Sequence, residues 1–179
     1  MNRRDFLKFG LITGFCGLVP KSFGSIVNSY FQTRTLYFYN THTGEFLKEI
    51  FYENGRYNKE GLKNIFYILR DFRTNEIAEI DIKLIDTLYI LTKTLEVNNR
   101  PINIISGYRS PKTNNLLREL SSGVAKNSLH MQGKAIDIKI SGVPLHILRD
   151  AAISLKAGGV GYYLSSNFVH IDTGRIRYW

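Results

Sequence analysis

Apolar and polar positions alternate along Thr35 to Asn40 and again along Phe46 to Tyr52, and the segment between them, Thr41-His42-Thr43-Gly44-Glu45, has the composition of a hairpin turn. The spacing then changes. Between Asn58 and Phe72, Leu62, Ile65, Phe66, Ile68 and Leu69 recur at every third or fourth position, as do Ile82, Ile85, Leu88, Tyr89, Leu91, Thr92 and Leu95 further on, which predicts two amphipathic helices. After Pro101 the two periods interleave: Ile102 to Ile105 predicts a buried strand, Thr113 to Leu120 a helix, and Lys134 to Ile140 a second strand. Pro144 suits the first turn of a helix running to about Lys156. Gly158-Gly159 would end it before strands near Val160 to Tyr163 and Phe168 to Asp172. No internal repeat or low-complexity tract interrupts this order, so the expectation is a single α+β domain with helices packed on a mainly antiparallel sheet.

Length agrees with one core, because 179 residues suffice for one ordinary domain and fall short of two. A hydrophobic content of 44%, with 11 Tyr and 11 Phe, excludes a disordered chain. The formal charge of +9 suits nucleic acid, an anionic membrane surface or an anionic wall polymer equally well. The first residues narrow that choice. Asn2-Arg3-Arg4-Asp5-Phe6-Leu7-Lys8 reads as a twin-arginine export signal, followed by an apolar run from Phe9 to Val19 that is too short for the roughly 20 residues of a membrane-spanning helix. Ser22-Phe23-Gly24 places small residues where a cut would leave a chain starting near Ser25. The expected organisation is therefore a signal over 1–24, a lead-in over 25–34 and the domain over 35–179, exported to the periplasm. Cleavage would remove Arg3, Arg4, Lys8 and Lys21 together with Asp5, leaving a net charge of +6, and would also remove Cys16, the single cysteine. Cysteine chemistry and disulfides are then excluded from the mature chain, and export argues against a nucleic-acid partner.

The chemistry concentrates in the C-terminal half. If Lys134 to Ile140 is a strand, Ile136, Ile138 and Ile140 share one face and Ala135, Asp137 and Lys139 the other. Gly133 would let the loop carrying His130 fold back over the start of that strand. In Phe168-Val169-His170-Ile171-Asp172, the same parity puts His170 and Asp172 together on one face. Two imidazoles and a carboxylate are the donor types of a catalytic zinc site, which keeps its fourth position for water, and a neighbouring carboxylate can take the proton of that water. Spacing alone leaves the bland readings open, a surface histidine and a strand aspartate in an ion pair. His42, in the turn, and His146, on a predicted helix, are not favoured as ligands.

These residues carry a resemblance. Ser128-x-His130-x-x-Gly133-x-Ala135-x-Asp137 followed by His170 resembles the zinc D-Ala-D-Ala metallopeptidase family of peptidoglycan enzymes. Asn40 to Glu45, Ile105-Ser106-Gly107-Tyr108-Arg109-Ser110, Gly158 to Tyr163 and Phe168 to Trp179 resemble its YcbK-like murein endopeptidase subgroup. The resemblance implies a hedgehog/DD-peptidase-like fold, Zn2+ on His130, Asp137 and His170, and Arg109 binding a substrate carboxylate or the developing oxyanion. Alternatively, Arg109 is a structural salt-bridge partner. Ser128 either contacts substrate, orients a ligand or caps a turn.

The sequence departs from the family at one position. Three residues before the last zinc histidine, where much of the family has Glu or Asp, stands Asn167, whose amide takes no proton from water. Asp172 is the nearest substitute, either as general base or as a group orienting His170. The implied activity is hydrolysis of peptidoglycan peptide cross-links by zinc-activated water. The alternatives are a non-catalytic, zinc-containing wall-binding module and a carboxypeptidase trimming stem peptides. The candidate bonds are a D-Ala–diaminopimelate link, a diaminopimelate–diaminopimelate link and a terminal D-Ala.

Overall fold

The structure is a computed structural model and describes residues 33–121 and 123–179. The expected signal, Cys16 and most of the lead-in lie outside the described residues. Strands β1 (Arg34–Asn40) and β2 (Phe46–Glu53) form the hairpin anticipated from their alternation, and a two-residue β3 (Arg56–Tyr57) extends it. Helices α1 (Lys59–Ile68) and α2 (Ile82–Thr94) follow, capped by the side chains of Asn58 and Asp81. Then come β4 (Ile102–Ser106), α3 (Pro111–Leu120), a 3₁₀ turn over Leu129–Gln132, β5 (Ala135–Ile140), α4 (Leu145–Ser154), β6 (Gly159–Tyr163), β7 (Phe168–Asp172) and β8 (Arg177–Tyr178).

All eight strands join one sheet in the order β3-β2-β1-β4-β5-β7-β6-β8. Five of its pairings are antiparallel, whereas β1 with β4 and β6 with β8 are parallel. The α+β expectation holds. The segment joining β1 to β4 contains β2, β3, α1 and α2, ample length for the crossover that a parallel pair requires.

Parity divides the sheet into two faces. Leu36 and Phe38 of β1, Ile102 and Ile104 of β4, Ile136 and Ile138 of β5 and Val169 and Ile171 of β7 are all buried on one of them. There they meet Leu62 and Ile65 of α1, Leu84, Ile85, Leu88 and Leu91 of α2 and Leu148 of α4 in one apolar cluster. Each such side chain contributes roughly 1.5–3 kcal/mol by leaving water. The opposite face carries the polar positions of the same strands, among them Asp137, Lys139, His170 and Asp172.

Three local details differ from the sequence expectation. Pro144 occupies the N-cap with extended ψ of 138° and helix α4 begins at Leu145, because the proline nitrogen has no hydrogen to give and its backbone turns in from an extended stretch. The same helix stops at Ser154, two residues short of Lys156, which adopts a positive φ of 51°. Strands β3 and β8 are too short to produce a period and were not anticipated. Among the described residues no helix is long and apolar enough to cross a membrane.

Candidate metal centre

His130 reaches the open sheet face from the 3₁₀ turn that precedes β5. The Ser128 hydroxyl caps that turn by accepting the His130 N–H at 3.4 Å, so the capping role is the one its contacts display, while the residue also lines the cleft described below. Gly133 ends the turn in the left-handed region at φ 64°, and a side chain there would run into the Glu79 carbonyl. Asp81 binds both flanks of the site: its N–H donates to the Gly133 carbonyl at 2.9 Å, and its carboxylate accepts the Thr173 hydroxyl at 2.7 Å.

Asp137 and His170 are direct cross-strand partners on β5 and β7. Three donor atoms converge between these segments. His130 Nε2 lies 3.3 Å from His170 Nδ1 and 3.3 Å from Asp137 Oδ1, and His170 Nδ1 lies 2.8 Å from the same Oδ1. Each group is held from behind. His130 Nδ1 stands 2.7 Å from the Gly107 carbonyl, which can only accept, and His170 Nε2 stands 3.1 Å from Asp172 Oδ2. The Gly107 carbonyl draws the His130 ring proton to Nδ1 and turns its Nε2 lone pair inward, and Asp172 stands where it would hold the Nε2–H of His170 once a cation displaced any proton from Nδ1. Two imidazole nitrogens and a carboxylate oxygen converging on one point can hold a metal ion. Four ligands at the usual zinc bond lengths stand about 3.3 Å apart on a tetrahedron; the two separations from His130 Nε2 equal that spacing, and the His170–Asp137 separation of 2.8 Å is shorter, at hydrogen-bond length. Sequence reasoning named the three residues, and they form the one cluster among the described residues suited to holding a metal ion.

Electrostatics follow the same geometry. Burial would raise the Asp137 carboxyl, but His130, His170 and Arg109 outweigh it and hold the group well below the usual carboxylate range. Burial depresses the His130 imidazole below its ordinary value, despite the neighbouring carboxylate. Burial works in the same direction on His170, yet its hydrogen bonds to Asp137 and Asp172 prevail and raise it.

Arg109 donates from Nη2 to Asp137 Oδ2 and from Nε to Ser106 Oγ at 2.7 Å. It thus makes the salt bridge weighed for it and still lines the cleft, with guanidinium N–H groups left over for a ligand. Its segment is fastened from below, Tyr108 N–H to the Leu69 carbonyl and Ser110 N–H to the buried Asp71 carboxylate.

Asp172 is fully buried at its side chain. Its oxygens accept from His170, from Arg177, and from the N–H groups of Gly159 and Gly174 at 3.0 and 2.8 Å. Burial opposes its charge, but these donors keep the carboxyl below its ordinary value. Gly159 is required here, since a Cβ would come within 2.5 Å of Asp172 Oδ2. Asn167 sits exposed in the β6–β7 turn at φ 55°, a conformation that asparagine tolerates.

A cleft of about 490 Å³ opens over the three donors. One wall is lined by Ser121 and by the segment 123–129, which buried Asn114 ties down by donating to the Ala125 carbonyl at 3.1 Å. The other wall contains Tyr163, Phe168, Arg177 and Trp179. Asp137 is the only carboxylate lining the cleft among the described residues. The family model for peptidoglycan L,D-endopeptidase MepK matches residues 28–179. The peptidoglycan L,D-endopeptidase MepK of Escherichia coli K12 is 45% identical over 99% of this chain and 97% of its own length. A protein of Haemophilus influenzae named probable peptidoglycan L,D-endopeptidase MepK is 42% identical over 99% of the chain and 95% of its own length.

The chain belongs to the MepK family. Within this family member, sequence reasoning had not singled out Arg177 or assigned Trp179 a role. Both depend on β8, whose parallel pairing with β6 carries the chain end back to the site. Arg177 Nη2 reaches Asp172 Oδ2 at 2.7 Å, and the Trp179 indole donates to the Tyr163 hydroxyl at 2.8 Å. Their only sequence signal was the clustering of charge and the single tryptophan after the last histidine. His42 stacks on Phe72 with ring centroids 3.8 Å apart and stands 2.9 Å from the Ile105 carbonyl, and His146 is exposed on α4. Neither joins the donor cluster.

Proposed function

We propose that this MepK-family protein cleaves L,D-amide cross-links between peptidoglycan stem peptides, with His130, Asp137 and His170 holding a zinc ion. At the level of the family, the chain is a peptidoglycan endopeptidase, a hydrolase of peptide bonds. Of the three bonds the sequence left open, the diaminopimelate–diaminopimelate link joins an L to a D centre and matches the name its relatives carry. The reading rests chiefly on one observation, the convergence of two imidazole nitrogens and a carboxylate oxygen within 3.3 Å of one another, each held by a further hydrogen-bond partner on its far side.

When bound, zinc would supply Lewis-acid polarisation of the scissile carbonyl and acidify water at neutral pH. The protein's own groups supply the rest. Arg109 holds Asp137 Oδ2 and offers its remaining N–H groups to a substrate carboxylate or to the oxygen that gains charge during attack. Asp172 is a candidate for proton acceptance, but its packed surroundings and absence from the cleft wall favour a positioning role, holding the Nε2–H of His170 so that Nδ1 faces the donor cluster. Ser128 shapes the His130 turn and borders the substrate. Residues 1–24 fit a twin-arginine leader delivering the enzyme to the periplasm, and a reporter fused to them should stay in the cytoplasm when that route is blocked.

The decisive experiment is mass spectrometry of cross-linked muropeptides incubated with zinc-loaded protein, with chelator and with the His170→Ala variant. Metal-dependent conversion of cross-linked dimers to monomers is expected. Binding without release would indicate a wall-binding module, loss of terminal D-Ala alone a carboxypeptidase, and no zinc-dependent product would sink the assignment.

A further inference from the structure

The outer face of β1 and β2 is rich in aromatic and apolar side chains. Antiparallel sheets with one solvated face ordinarily place polar side chains there, yet here the outward positions are Thr35, Tyr37 and Tyr39 on β1 and Phe46, Lys48 and Ile50 on β2. Phe46 is 59% exposed and Ile50 37%. Lys48 Nζ stands 5.2 Å from the centre of the Tyr37 ring, so the patch combines aromatic faces with a cation.

The register connects this patch to the cleft. Tyr163 pairs with Phe168, and the two rings stack at 4.6 Å on the cleft wall beside His170. One step past the Ile138–Val169 pair, Lys139 neighbours Phe168, and Lys139 pairs with Asn103, Asn103 with Tyr39 and Tyr39 with Phe46. One transverse row, Tyr163-Phe168-Lys139-Asn103-Tyr39-Phe46, thus crosses the sheet on the face that carries the metal centre, with rings at both ends. From β7 to β2 it spans four strand spacings, about 19 Å. That length accommodates several sugar rings.

We propose that this row and the adjoining Tyr37 and Lys48 form a glycan-binding subsite, which holds the sugar backbone of the wall polymer while its peptide cross-link lies in the cleft. This rests on the peptidoglycan reading above. Pyranose rings present CH-rich faces that stack on aromatic rings. The rings form two clusters at the ends of the row, separated by Lys139 and the buried Asn103, and exposed apolar side chains grouped on a folded domain mark a binding site. Lys48 and Lys139 meet the carboxylates that decorate such a polymer. Its place in the same register row and on the same sheet face as the cleft selects this occupant over a second copy of the chain.

The test titrates peptide-free glycan strands into the zinc-loaded protein and its Phe46→Ala and Tyr39→Ala variants, and in parallel measures turnover of a sugar-free cross-linked peptide dimer. Wild-type protein is expected to bind the strands, each variant about two- to tenfold more weakly, with kcat/KM on the sugar-free dimer unchanged. No binding by the wild type, equal binding by the variants, or an equal loss on the sugar-free dimer would overturn the subsite. So would a change of oligomeric state in Phe46→Ala with glycan binding intact, which would make the face a self-association surface. A wild type inert towards the sugar-free dimer would count against the peptidase reading alone, because the glycan titration requires no turnover.

Discussion

The two faces of the sheet are built from the same strands and differ only by parity, yet they do opposite work. On β5, Ile136 and Ile138 enter the core while Asp137, between them, joins the donor cluster; on β7, Val169 and Ile171 do the same around His170. Both faces are buried at the centre of the sheet, one under apolar side chains and the other under a polar network around Asp137 and Asp172. The apolar face supplies stability without direction, since hydrophobic burial scales with area. The polar face supplies direction, because each donor is aimed by a hydrogen bond behind it. Rigid strands transmit the stability of the first to the precision of the second.

Substitutions at neighbouring positions can break that division. The largest effect is expected from His170→Ala, which should reduce zinc stoichiometry and muropeptide turnover to background while the circular dichroism of the fold persists. Its counterpart on the core face, Ile138→Ala, should cost about 2–5 kcal/mol in urea unfolding and still bind zinc. If the metal is lost with little change in stability, the faces are not separable. Asp172→Asn is subtler. Acting through His170, it should weaken zinc affinity by about 10–100-fold in chelator competition and recover turnover at saturating zinc, whereas a general base would lose turnover with zinc still tightly bound.

The smallest effect concerns the support beneath Arg109. Burial would raise the Asp71 carboxyl, but hydrogen bonds at Ser110 and Arg73 lower it below its ordinary value. Its contribution is therefore complete above the unfolded carboxylate pKa and disappears as pH falls through the lower folded value. Asp71→Asn should destabilise the protein by about 1–3 kcal/mol at neutral pH and flatten the acid limb of a stability–pH profile measured by denaturant unfolding.

Much of the fold was legible because the long elements carry strong periods. The strands around Phe38, Ile104, Ile138 and Val169 and the helices around Ile65 and Leu88 lie where alternation and helical spacing place them. The metal cluster was legible in part, since parity puts Asp137 on the face away from Ile136 and Ile138, and His170 away from Val169 and Ile171. Strands β3 and β8 were not, because two residues make no pattern, and with β8 the roles of Arg177 and Trp179 stayed hidden. The character of Asp172 was hidden as well. A carboxylate beside a histidine reads as a base from spacing, and only its four surrounding partners, drawn from β6, β7, the turn before β8 and β8 itself, reveal how fully it is engaged.

The sequence by itself determined the composition of each strand face and the order of the long elements, which follow from local period, whereas period left His130, Asp137 and His170 only as candidates and the family resemblance made them the expected donors. Tertiary structure alone decided that the segment following β4 would place the Gly107 carbonyl behind His130, that β1 and β4 would run parallel, and that the aromatic positions of β1 and β2 would share a face with the donor cluster. The reason is that strand order and register are set by which faces can be buried together, a global condition that no local stretch of the chain encodes.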